Sequence, residues 1–74
     1  MRTDASQLAT VRALAASGTA RSIRLEARLS LSEVADQIGV STSTVFRWEQ
    51  GQRKPKGQPA LRYGALLAEL VGRP

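Results

Sequence analysis

The sequence predicts an all-α domain, a compact bundle of about five helices with two short helices and a tight turn at its centre. Three observations predict it. Residues 30–51, SLSEVADQIGVSTSTVFRWEQG, carry two helix-start signals and two glycine stops in consistent order. The stretches on either side place apolar residues at helical spacing. Hydrophobic residues make up 42% of the chain but aromatics only 4%, so the core must be built from Leu, Val, Ile and Ala. A chain of 74 residues reads as one domain, 1–74, near the lower limit for an independently stable core.

The elements follow in order. Met1 to Thr3 are expected to fray. Asp4 is an N-cap candidate with Gln7 at the capping-box position, and Leu8, Val11, Leu14 and Ala15 make one face of a helix over about 5–17 that Gly18 ends. This helix precedes a core of about 19–70 and is either a packing strut or a dimer contact. Thr19 opens a second helix to about Arg28, with Ala20, Ile23 and Ala27 as its core stripe. Ser30 and Glu33 form a capping box for a third helix, whose Val34, Ala35 and Ile38 share a face. Gly39 supplies the positive φ needed to leave it, and Val40 plugs the turn. Ser41 caps a fourth helix over about Thr42–Gln50, with Val45 and Trp48 inward and Gly51 at its end.

The loop QRKPKGQP holds a dense basic run, Arg53, Lys54 and Lys56, broken by Pro55 and Gly57. Pro59 suits the first turn of a last helix, with Gln58 as a weak cap. Leu61, Tyr63, Leu66, Leu67, Leu70 and Val71 recur there in a wide apolar arc. One side of the arc covers the central helices. The other either forms a homodimer surface or holds the first helix.

The central helices leave an exposed pattern with chemical content. With Val45 and Trp48 inward, Thr42, Ser43, Phe46 and Arg47 point outward together. A helix start carrying small hydroxyls and one Arg, braced by a partner helix, suits the major groove of DNA. The Arg47 guanidinium can donate twice to guanine O6 and N7, or instead meet a phosphate. Thr42 and Ser43 can meet base or phosphate, Thr42 also offering a methyl to thymine. Thr44 lies between the faces and suits a phosphate. Phe46 packs on thymine methyls or a sugar, or leans toward the core or a dimer partner. Arg53, Lys54 and Lys56 suit phosphates, or are simply a solvated loop.

The arrangement resembles the Cro/C1-type helix-turn-helix family of bacterial and phage regulators. Leu29-Ser30, Val34-Ala35, Gly39-Val40-Ser41 and Arg47-Trp48-Glu49-Gln50-Gly51 carry the resemblance, which covers roughly residues 19–70. It implies a lambda-repressor-like DNA-binding fold and an ion pair between Arg24 and Glu49, two groups that are otherwise simply solvated. It also implies phosphate contacts at Gln50 and the Gly51 amide, with Ser32 and Ser41 beside them at the helix starts. Leu31 departs from the pattern. The family often has Gln there, touching a phosphate and bracing the second helix; Leu cannot, so that contact passes to the Ser32 hydroxyl or a backbone amide, or is absent.

The formal charge is +5, and nine of the eleven basic residues are Arg. Without a long apolar amphipathic face this favours an anionic polymer over a lipid surface, with solubility alone as the plain alternative. No Cys and no His are present, which removes disulfides, the usual zinc ligands and the commonest general base. Glu33 and Asp36 lack the spacing of a catalytic pair, so no enzyme, cofactor, metal or small-molecule ligand is expected. No apolar run is long enough to span a membrane and no signal peptide pattern is seen, so a cytoplasmic protein, nucleoid-associated when on DNA, is expected. With no room for an effector domain, the expected function is a Cro-like or repressor-like regulator, binding a pseudo-palindromic operator as a homodimer. The alternatives are an antitoxin-like protein-interaction module and a DNA-bending, excisionase-like recombination accessory protein.

Overall fold

The computed structural model describes residues 3–72, all-α, with five helices and no strand among them. They are α1 (Asp4–Ala16), α2 (Thr19–Glu26), α3 (Leu31–Ile38), α4 (Thr42–Glu49) and α5 (Gly57–Val71). Met1 and Arg2, two of the residues expected to fray, lie outside the described residues.

Local signals set most of the boundaries. The Ser30 side chain accepts from the Glu33 amide at 3.0 Å and the Glu33 carboxylate accepts from the Ser30 amide at 2.8 Å, a complete capping box. That bond to the Ser30 amide holds the Glu33 carboxyl below the usual carboxylate range. Gly39 at φ 79° ends α3. Ser41 caps α4 by accepting from the Thr44 amide at 3.2 Å. At its far end Gly51, at φ 72°, makes a Schellman stop: the Gln52 amide donates to the Arg47 carbonyl and the Gly51 amide to the Trp48 carbonyl.

Three boundaries differ from the sequence expectation. The α1 cap is Thr3, which accepts from the Ser6 amide at 3.1 Å, and Asp4 is the first helical residue. Asp and Thr both cap well, so one step of register is invisible to composition. Helix α2 stops at Glu26, and Arg28 adopts φ 60° in a Schellman stop of its own, with the Leu29 amide on the Arg24 carbonyl and the Arg28 amide on the Leu25 carbonyl. Helix α5 begins at Gly57 with Lys56 at the cap and no side-chain cap bond, earlier than Gln58–Pro59 suggests. Gly57, at φ 70°, swings the chain into it.

The core joins all five helices. Val11, Ala20, Val34, Ala35, Ile38, Val45, Trp48, Ala60, Tyr63 and Leu67 are buried in one cluster. The apolar arc of α5 covers α1, α2 and α3, so α5 holds the first helix as well as the central pair. Helices α1 and α5 pack closely at Gly64, where a Cβ would stand in ordinary contact, 3.5 Å from the Val11 Cβ. Trp48 and Tyr63 pack with ring centroids 5.2 Å apart. Among the described residues, no helix is long and apolar enough to cross a membrane.

Candidate nucleic-acid interface

Helix α4 divides into two faces. Val45, Trp48 and Glu49 are buried. Thr42, Ser43, Phe46 and Arg47 are exposed together on the other side. Phe46 is 45% exposed, which excludes a core position and leaves an aromatic ring beside Arg47 on the outward face. Thr44 lies between, half-buried.

Hydroxyl groups crowd the α4 start. The Ser41 hydroxyl lies 2.8 Å from the Thr44 hydroxyl and 3.3 Å from the Ser43 hydroxyl, so Ser41 and Thr44 are already engaged with each other at the cap. The Thr42 and Ser43 amides belong to the first turn, whose N–H groups have no intrahelical acceptor and point out along the axis. Ser32, from the start of α3, comes within 3.4 Å of the Thr42 hydroxyl. Leu31, where the family often has Gln, is half-buried against the core instead. The tie between the starts of α3 and α4 is made one residue later, through Ser32.

Behind this face sits a buried ion pair. Arg24 Nε donates to Glu49 Oε2 at 2.6 Å and Nη2 to Oε1 at 2.9 Å, while Nη1 donates to the Leu29 carbonyl at 2.9 Å. Arg24 is 8% and Glu49 7% exposed. The hydrogen bond to Glu49 holds the Arg24 guanidinium above its ordinary range, against the opposing effect of burial. One side chain thus joins α2, the α2–α3 link and α4, which fixes how the outward face of α4 is presented.

Gln50, Gly51, Arg53, Lys54 and Lys56 are all exposed. The basic loop is not free, however. Its start is pinned by the Gln52 and Arg53 amides on the Arg47 carbonyl, at 2.9 and 3.4 Å. The Pro55 side chain is fully buried. Arg12, from α1, donates through Nε to the Pro55 carbonyl at 2.7 Å. Arg62 of α5 donates to the Ile38 carbonyl at 3.0 Å, closing the end of α3 beside the turn. Neither Arg12 nor Arg62 stood out in the sequence. The partners are 43 and 24 residues away, and no local pattern encodes such a bond.

Residues 21–70 match a family model described as Helix-turn-helix. The chain belongs to the Cro/C1-type helix-turn-helix family of DNA-binding regulators. It is also similar to a curated protein of Vibrio cholerae, "Cryptic phage CTXphi transcriptional repressor RstR", with 38% identity over 55 residues, 69% of this chain and 50% of that protein. The chain therefore spans about half the length of the curated relative it matches. No solved structure matches. The family match begins at residue 21 and so leaves α1 outside it.

Proposed function

We propose that this domain binds double-stranded DNA sequence-specifically through the major groove and regulates transcription by occupying an operator. The observation that carries the reading is the sorting of α4, with Val45, Trp48 and Glu49 buried and Thr42, Ser43, Phe46 and Arg47 exposed on one face. An α-helix fits the major groove, where base edges can be told apart. Arg47 reads guanine, Thr42 and Ser43 add shorter-range contacts, and Phe46 packs on thymine methyls or sugar. Arg53, Lys54 and Lys56, with Ser32, Ser41, Thr44, Gln50 and the Gly51 amide, meet phosphates and supply most of the affinity through counterion release. Resemblance to a phage repressor supports repression over activation.

One such module reads few base pairs, so the domain acts as a homodimer on a pseudo-palindromic operator with half-sites about 34 Å apart. Val71, 65% exposed, and the apolar groove between α1, α2 and α5 offer surface for a second copy. Action on DNA implies a cytoplasmic, nucleoid-associated protein.

Selection of bound sites from a random duplex pool at physiological salt tests the reading. A two-fold symmetric site bound at least about a thousandfold tighter than unrelated DNA is the expected outcome. An unsymmetric, weakly preferred site instead points to a DNA-bending accessory protein. On the selected site Arg47→Ala weakens binding by about 1–3 kcal/mol and relaxes preference at one base pair. Uniform weakening across sequences would make Arg47 a phosphate contact. Lys54→Ala lowers the salt slope by about one unit with preference kept.

A further inference from the structure

The loop carrying Arg53 and Lys54 is held at both ends by different parts of the molecule. Its first residues hang from the Arg47 carbonyl on α4. Its far end is held by α1: the Pro55 ring is buried, and the Arg12 Nε–H reaches the Pro55 carbonyl at 2.7 Å. Arg12, Arg53 and Lys54 line one small cleft with Gly51 and Trp48. The bond from Arg12 draws three cationic residues into one short region, which costs repulsion unless an anion lies nearby.

We propose that Arg12 is a positioning residue for DNA binding, holding the 52–56 loop in its phosphate-contacting form through the Pro55 carbonyl. The inference rests on the DNA-binding reading above and gives α1, which lies outside the family match, a working part in the interface. A loop ordered before binding loses less entropy when Arg53, Lys54 and Lys56 meet the phosphate backbone.

Side-chain geometry supplies the test. The amide nitrogen of Gln stands as far along the side chain as the Nε of Arg, and Met reaches equally far with no donor. Arg12→Gln and Arg12→Met both remove the charge, and Gln alone keeps the hydrogen bond. Binding is measured on a short mixed-sequence duplex across a salt series, with urea unfolding of each variant alongside. Arg12→Met is expected to weaken binding by about five- to tenfold, and Arg12→Gln to recover most of that loss. In a background with Arg53, Lys54 and Lys56 all replaced by Ala, compared at the same low salt, Arg12→Met is expected to cost under about twofold, because nothing remains to be positioned.

Equal losses for Arg12→Gln and Arg12→Met would overturn the proposal in favour of a direct charge contact. An undiminished loss in the triple-Ala background would overturn it in favour of a general structural role. Wild-type affinity in Arg12→Met would overturn it outright. Absence of salt-dependent duplex binding by the unsubstituted protein would instead overturn the DNA-binding reading itself.

Discussion

The α3–turn–α4 unit and the flank made by α1, α5 and the basic loop are held together by different kinds of contact. Within the first, the bonds that set boundaries span a few residues: Ser30 with Glu33, Ser41 with Thr44, Gln52 back to Arg47. In the second they span the chain: Arg12 to Pro55 and Arg62 to Ile38. The short-range unit presents the candidate reading face, and the long-range ties hold what surrounds it. Local bonds make helices with defined ends. Only distant bonds fix how those ends face a common partner.

The largest expected effect comes from breaking the buried ion pair that enters the short-range unit from α2, Arg24–Glu49. Glu49→Ala leaves the Arg24 guanidinium buried without its carboxylate, which costs about 3–5 kcal/mol. Urea unfolding measures it. An unchanged transition would mean the pair contributes nothing and that α4 is placed by apolar packing alone.

Two substitutions of moderate size sharpen the contrast. Arg62→Met removes the long-range bond to the Ile38 carbonyl and costs about 1.5 kcal/mol. Ser30→Ala removes the short-range cap of α3 and costs about 1 kcal/mol. Amide exchange separates them. Ser30→Ala speeds exchange at the first turn of α3, and Arg62→Met at both the end of α3 and the adjoining part of α5. If Arg62→Met affected α3 alone, α5 would be held by its apolar face and the bond would be a local cap like any other.

The same contrast explains what could be read from the sequence. The Ser30–Glu33 box, Gly39, the Ser41 cap and Gly51 were legible because each signal lies within a turn of the boundary it sets. The outward set Thr42, Ser43, Phe46 and Arg47 followed from placing only Val45 and Trp48 inward. The α1 cap was read one residue late, at Asp4 instead of Thr3, since two good capping residues stand side by side. The α5 start was misread because Pro59 is a strong signal, while Gly57 and Lys56 set the entry through backbone geometry that composition does not encode. The Arg28 stop, at φ 60° without a glycine, gave no signal at all. Arg12 and Arg62 were illegible because an Arg on a helix surface looks the same whether or not a distant carbonyl waits for it.

The smallest effect lies where the two regions meet. Tyr63 of α5 packs on Trp48 of α4 and is 1% exposed, yet its hydroxyl has no protein hydrogen-bond partner among the described residues. Burial, with the Glu49 charge adding to it and Arg24 opposing, pushes the phenol well above its ordinary value of 10.0. The fold therefore prefers the neutral form. Stability from this group is fully present below about pH 10 and is lost as pH rises further, because the unfolded chain ionises first. Tyr63→Phe keeps the ring contact and removes the unpartnered hydroxyl. At neutral pH it leaves stability unchanged or raises it by up to about 1 kcal/mol. Above pH 10 the Phe variant declines less steeply, and the difference between the two urea curves across that window isolates Tyr63, the one position at which the two proteins differ. A variant less stable at neutral pH, with the same alkaline decline, would mean that the hydroxyl has a partner and ties α5 to the Arg24–Glu49 pair. The seam between the two regions would then be polar as well as apolar, and the flank would bear directly on the placement of α4.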